Sequence, residues 1–69
     1  MKITSVSIKE IVKAVPNVMF NIAEGYSGYP RVARYVESDR SITVFIDVSS
    51  GEKIYMCRGH VPRFVSILN

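Results

Sequence analysis

The side chains best suited to chemistry lie close together near the end of the sequence, in Cys57-Arg58-Gly59-His60. Cys57 and His60 are the single cysteine and the single histidine of the chain. A disulfide framework needs a second cysteine, and a structural zinc site needs about four Cys or His ligands. The histidine also has no serine or cysteine at a spacing typical of a nucleophile and base pair. We therefore expect no enzymatic activity, no metal and no cofactor, and we expect Cys57 to be a small buried apolar residue.

Size and composition limit the remaining functions. The chain has 69 residues, 48% of them hydrophobic, and a formal net charge of +3. A domain this small buries only about 60% of its unfolded surface, so we expect part of the apolar surface to form a subunit contact. The charge is compatible with a polyanionic partner. Because neither a long apolar run nor a signal-peptide pattern occurs, we expect no membrane association and a cytoplasmic location, or the host-cell cytoplasm if a virus encodes the protein.

The elements that must position these residues begin with a short amphipathic helix. Apolar residues follow the helical spacing at Ile8, Ile11, Val12 and Val15. Ser7 and Glu10 form a capping-box pattern, and Pro16 disfavours helical angles at the residue before it. The pattern predicts a helix over residues 7–15.

After the helix, short β-rich runs alternate with Gly-containing or polar turns. The predicted strands are residues 18–24, 31–37, 42–48, 53–58 and 62–68. In the third run Ile42, Val44, Ile46 and Val48 alternate with Thr43, Phe45 and Asp47, which predicts that the Ile/Val face is buried. We expect a mainly β fold in which residues 17–68 form a five-stranded, strongly bent antiparallel SH3-like barrel, capped by the helix. Its last tight turn would be built on Arg58-Gly59.

Two stretches resemble the paired motifs of the Sm-like family (Sm, LSm and Hfq proteins). Residues 39–48 are similar to the family's second loop and third strand, where an Asp precedes an apolar residue and an alternating strand closed by an acidic residue. The positions that fit are Asp39, Ile42, Ile46 and Asp47. Residues 55–68 are similar to the closing strand pair, with Arg58-Gly59 and Arg63-Phe64 at matching positions. The resemblance extends over nearly the whole chain and implies a single Sm-like domain, residues 1–69.

The resemblance also implies an assembly and a ligand. It implies a homo-oligomeric ring formed by pairing the fourth strand of one subunit with the fifth strand of the next. It implies single-stranded RNA as the partner, bound around the pore. The implied RNA-binding residues are Arg58, Gly59, His60, Asp39, Arg40, Ser41 and Thr43.

Several of these residues allow two interpretations. Arg58 stacks on or hydrogen-bonds a base while Asp39 orients it, or it pairs with a nearby carboxylate such as Asp39 beside a positive-φ turn at Gly59, and the two interpretations are compatible. His60 is either an exposed turn residue or an imidazole that stacks on a base. Ser41 and Thr43 stand where the family usually has a stacking residue and an Asn. Arg40 is an alternative stacking plane.

The basic and aromatic residues outside this region also have two interpretations. Tyr26, Tyr29 and Tyr35 lie near Arg31 and Arg34, a mixture that fits a subunit contact or a nucleic-acid surface. Lys9 and Lys13 share one helix face, which is either a solvated face or a site for phosphates. Because Ser41 and Thr43 replace the family's usual pore residues, the alternative function is a small-barrel protein-interaction module, or a structural ring that has lost nucleotide readout.

Overall fold

A ten-residue helix, α1 (Ser5–Ala14), precedes all the strands in the computed structural model, which describes residues 3–68. The helix begins earlier than predicted because Thr4, and not Ser7, is its N-cap. The Thr4 hydroxyl accepts the Ser7 backbone N–H at 3.1 Å, and the Ser7 hydroxyl accepts the Thr4 N–H at 2.7 Å. These reciprocal bonds satisfy the first turn without Glu10. Ile8 is fully buried and attaches the helix to the core.

The rest of the chain is mainly β. The elements are β1 (Phe20–Ile22), α2 (Glu24–Ser27), β2 (Arg31–Ser38), β3 (Ile42–Asp47), β4 (Lys53–Cys57), a 3-10 turn (Arg58–His60), α3 (Val61–Phe64) and β5 (Val65–Ile67). The three middle strands lie where the sequence predicts them, whereas the first and last are shorter. The one-turn helix α2 occupies part of a predicted turn. None of the helices within residues 3–68 is long and apolar enough to cross a membrane.

The five strands form one antiparallel sheet in the order β4-β3-β2-β1-β5. The prediction of a tight hairpin turn at Arg58-Gly59 is wrong. Gly59 does not have a positive φ angle, and it lies in a 3-10 turn. Residues 58–64 instead form consecutive helical turns, with Pro62 in the first turn of α3, where its missing N–H has no consequence. The connection carries β5 across to β1. No pairing between β4 and β5 closes the sheet, so the barrel stays a prediction.

The core lies between α1 and one face of the sheet. Phe20 and Phe45 are fully buried and meet edge to face with ring centroids 6.0 Å apart. Because side chains alternate along a strand, Thr43 and Asp47 share this face with Phe45, and both are buried. The predicted buried face of β3 is therefore wrong in part. Val44 is buried, but Ile42 is 36% and Val48 is 45% exposed.

Candidate nucleic-acid interface

The turn from β2 to β3 is organised by the carboxylate of Asp39. Its Oδ1 atom accepts the backbone N–H groups of Ser41 and Ile42, both at 2.9 Å. The Asp39 N–H donates to the Ile42 carbonyl, also at 2.9 Å. The hydrogen bond from Ser41, followed by that from Ile42, lowers the pKa of the Asp39 carboxyl, so the exposed side chain is anionic at neutral pH.

Arg58 joins this turn to the 3-10 turn that follows β4. Its backbone N–H donates to the Ser41 carbonyl at 3.0 Å, and its Nη1 donates to the Arg40 carbonyl at 3.2 Å. The structure thus brings together Asp39, Arg40, Ser41 and Arg58, as the two sequence motifs suggest. The alternative in which Arg58 pairs with Asp39 is wrong, because both ion pairs found within residues 3–68 involve Arg31. Gly59 adjoins the cluster, and a Cβ there would meet nothing within 4 Å.

Thr43 lies apart from this surface. Its side chain is fully buried, and its hydroxyl is 3.0 Å from the hydroxyl of Ser5 on α1. This hydrogen bond gives each buried hydroxyl a partner and ties the helix to β3. A side chain with no exposed surface in this arrangement has nothing with which to contact RNA.

His60 is held by neighbouring aromatic rings. It is half-buried and packs edge to face against Tyr26, with centroids 6.0 Å apart, and against Phe64, with centroids 5.6 Å apart. Its Nδ1 is buried without a hydrogen-bond partner among the residues described. The interpretation of His60 as an exposed turn residue is therefore wrong in part, because His60 lies in the 3-10 turn but is half-buried. The prediction that Cys57 is buried is also wrong, because Cys57 is exposed.

Tyr26 connects these aromatic rings to the edge of the sheet. Its hydroxyl donates to the backbone carbonyl of Tyr55 on β4 at 2.6 Å, and its ring lies 5.4 Å from that of Phe64. Burial, and to a smaller extent the Coulombic effect of Cys57, raises the pKa of Tyr26, which keeps the hydroxyl protonated as a donor. The sequence places Tyr26 in a basic-aromatic mixture but gives no sign of this contact.

A second polar cluster surrounds Arg31 at the other end of β3. Asp47 Oδ1 accepts the Ser49 N–H at 2.8 Å and the Ser49 hydroxyl at 2.7 Å, and Oδ2 lies 3.5 Å from Arg31 Nη1. The bonds from Ser49 are the main cause of a lowered pKa of Asp47. Arg31 also pairs with Glu52 and lies 4.6 Å above the Tyr29 ring. Its guanidinium is thus engaged within the fold.

A shallow cleft of about 230 Å³ adjoins the Asp39 turn on the outer face of the sheet. It is lined by Glu37, Ser38, Asp39, Ile42, Val44 and Tyr55. Tyr55 is 59% exposed, and it shares the cleft with the apolar side chains of Ile42 and Val44. A planar ring beside apolar groups is the kind of surface on which a nucleobase stacks. The sequence predictions did not include Tyr55, although a lone aromatic on an otherwise polar face of β4 is a usable signal.

The Arg58 turn therefore presents several different polar groups on one exposed surface. They are the remaining guanidinium N–H groups of Arg58, the side chain of Arg40, the hydroxyl of Ser41 and the carboxylate of Asp39. Guanidinium and hydroxyl groups bind phosphates and base edges, and a carboxylate accepts hydrogen bonds from base edges. Within residues 3–68, no group of three or more His, Cys, Asp or Glu side chains could hold a metal ion. Compared with protein-family models, with curated proteins and with solved structures, the chain matches none.

Proposed function

We propose that this protein assembles into a Sm-like ring and binds single-stranded RNA, without catalysis, at the surface where Arg58 joins two turns. The observation that carries the proposal is the pair of bonds from Arg58 to the carbonyls of Ser41 and Arg40. These bonds unite the two segments that resemble the family's paired motifs. They also fix the Arg58 side chain in advance, which reduces the entropy lost when a ligand binds.

Each group at this surface has a role in the proposed site. The guanidinium groups of Arg58 and Arg40 bind phosphate or a base edge, and Asp39 accepts hydrogen bonds from a base. Tyr55 supplies a stacking ring in the adjoining cleft. His60 positions the 3-10 turn from within the aromatic cluster. Thr43 is left out because it is buried.

The two edge strands of the sheet, β4 and β5, support the ring. Bonds from the Asp47 N–H to the Glu52 carbonyl and from the Arg58 N–H to the Ser41 carbonyl mark hydrogen-bonded pairs at both ends of the β3/β4 ladder. Since such pairs alternate, Lys53, Tyr55 and Cys57 direct their backbone groups away from β3, toward the outer edge of β4.

The same alternation applies at the other edge of the sheet. Bonds from the Ala23 N–H to the Phe64 carbonyl and from the Leu68 N–H to the Met19 carbonyl bracket the β1/β5 ladder. The Val65 carbonyl and both backbone groups of Ile67 therefore point away from β1. Pairing β4 of one copy with β5 of the next covers both edges and closes a ring, in which neighbouring strands complete each bent barrel.

RNA binding is tested by fluorescence anisotropy with short labelled oligouridine and oligoadenine at about 50 mM and about 200 mM salt. We expect Arg58→Ala to weaken binding about tenfold, the loss of one charge-assisted contact. Arg34→Ala is the matched control, because it removes the same charge from the exposed part of β2. We expect a change of less than about threefold for this control. Dissociation constants above about 10⁻⁴ M at low salt would contradict the RNA proposal.

Assembly is tested separately by native mass spectrometry and light scattering over a range of protein concentrations. We expect one closed oligomer with a defined number of subunits. A monomer at every concentration would contradict the ring.

The second candidate is a protein-interaction module or structural ring without nucleotide readout. The burial of Thr43 favours it, because this removes one of the implied RNA contacts. A closed ring that binds neither oligonucleotide would support this candidate over the first.

A further inference from the structure

The centre of the β4 edge is already occupied within a single chain. The backbone carbonyl of Tyr55 points away from β3, toward the side where an added strand would pair. The hydroxyl of Tyr26 donates to this carbonyl at 2.6 Å. The Tyr26 side chain on α2 thus occupies the carbonyl to which a strand of another chain would have to hydrogen-bond.

The position of Tyr26 also blocks the space beside β4. Paired strands lie about 4.8 Å apart, so the backbone of an added strand would run through the space next to the Tyr55 carbonyl. The phenol oxygen of Tyr26 stands in that space, and the ring behind it is held by Phe64 and His60. Any strand that pairs with β4 must first displace Tyr26.

The element that carries Tyr26 is a short segment at the surface. Helix α2 is four residues long and has no buried residue, and its end at Gly28 is left-handed. The ring of Tyr26, which packs against the core, and the hydroxyl of Tyr26 attach α2 to the rest of the fold. Because α2 is short and has no buried residue, we expect it to open locally more readily than the strands.

We propose that Tyr26 is a latch on the β4 edge, and that its competitor is β5 of a second copy of this chain. This inference rests on the proposed ring and adds its regulation. In the single chain the hydroxyl of Tyr26 caps the Tyr55 carbonyl, and in the ring an amide N–H of the neighbouring β5 replaces it. The latch raises the concentration at which rings form and protects the edge from pairing with unrelated strands.

The latch is tested by comparing the full-length wild type with Tyr26→Phe, which keeps the ring but removes the donor. Tyr29→Phe is the matched control, because its hydroxyl contacts Arg31 and not the β4 edge. Sedimentation equilibrium gives the concentration at half assembly. We expect this concentration to fall about threefold to tenfold for Tyr26→Phe, the effect of one hydrogen bond, and to be unchanged for Tyr29→Phe. Half assembly of Tyr26→Phe at the wild-type concentration or above would overturn the latch.

A second measurement separates the latch from the ring itself. A labelled peptide of residues 62–68 is titrated into dilute, monomeric protein as a substitute for the neighbouring β5. We expect it to bind Tyr26→Phe several-fold more tightly than the wild type. If no variant assembles, the ring proposal fails, and the latch is then judged only by the affinity of the peptide for the two proteins. Equal affinity for both proteins, or no binding to either, would overturn it.

Discussion

Asp39 and Asp47 begin the turns at the two ends of β3, and each accepts backbone N–H groups two and three residues further along the chain. Their surroundings differ. Asp47 is buried and paired with Arg31, whereas Asp39 is exposed and accepts no bond from a cationic side chain among residues 3–68. The same local motif thus serves the interior of the fold at one end and its surface at the other.

The arginines near the two turns explain this difference. Arg31 directs its guanidinium at the carboxylates of Asp47 and Glu52. Arg58 directs its guanidinium at the backbone carbonyl of Arg40, which fixes the turn while the Asp39 carboxylate stays accessible. The arginine at the Asp47 turn binds the carboxylate and ties it into the fold, whereas the arginine at the Asp39 turn leaves the carboxylate available for the RNA contact proposed above. Four experiments test this, from the largest expected effect to the smallest.

The largest expected difference concerns thermal stability. Asp47→Ala removes the partner of the Ser49 and Ser50 N–H groups and of Arg31, so the midpoint should fall by roughly 5–10 °C. Asp39→Ala removes a surface carboxylate, whose N–H partners can bond to water, and should lower the midpoint by less than about half as much. Circular dichroism during heating measures both. Equal losses would show that the two turns contribute alike to stability.

The second difference is in acid stability. Both carboxyls have a pKa below the ordinary 3.8, so their stabilising effect is complete above that value and is lost as the pH falls through the lowered pKa. Urea midpoints should be constant from about pH 5 to 7 and decrease below about pH 4. Asp47→Asn should flatten this decrease more than Asp39→Asn, because the exposed group is better screened. A larger effect of Asp39→Asn would contradict the comparison.

Thr43 tests how far the contact surface extends along β3 from the Asp39 turn. Thr43→Val keeps the shape but leaves the buried Ser5 hydroxyl without its partner, so we expect a loss of about 1 kcal/mol in the free energy of unfolding. RNA affinity should stay within about twofold of the wild type, since the side chain is buried. Urea denaturation and anisotropy measure the two effects. The Ser5→Ala/Thr43→Val double variant should lose less than the sum of the single losses.

The smallest expected effect is that of the two aspartates on RNA affinity. Asp39→Ala should weaken binding about threefold, because the Ser41 and Ile42 N–H groups lose the acceptor that orders the turn. Asp47→Ala, measured well below its unfolding midpoint, should leave affinity unchanged. Anisotropy with the same oligonucleotides measures both. A weaker affinity for Asp47→Ala alone would place the RNA at the Arg31 end of the sheet.

The local patterns predicted much of the fold, but not the choice of faces. The helix and the three middle strands follow from apolar spacing and turn residues. Apolar spacing does not show which face of β3 is buried, because both faces of this strand carry apolar side chains. Phe45 decides it by packing against Phe20, and the polar neighbours of Phe45 are buried because Ser5 and Arg31, distant in sequence, provide their partners. No local spacing reveals such pairs.

The candidate site was predictable to a similar degree. The two motifs indicated that Asp39, Arg40, Ser41 and Arg58 lie together, and the structure places them so. It also separates Thr43 from them and holds His60 among aromatic rings. The path of residues 58–64 depends on helical turns too short to be recognised by periodicity. That path decides that β5 pairs with β1, and therefore that β4 and β5 are the edge strands of the sheet.

The pairing of β1 with β5 has a consequence for folding kinetics. Residues 20–22 and 65–67 are neighbours in the sheet although most of the chain lies between them. Their contact closes a long loop, whose entropic cost must be met before the pair contributes any stability. During synthesis, one edge of β1 therefore stays unpaired until β5 has been made. In that interval Phe20 and Ile22 can form non-native contacts. Formation of the β1/β5 pair is expected to be a late and slow event in folding.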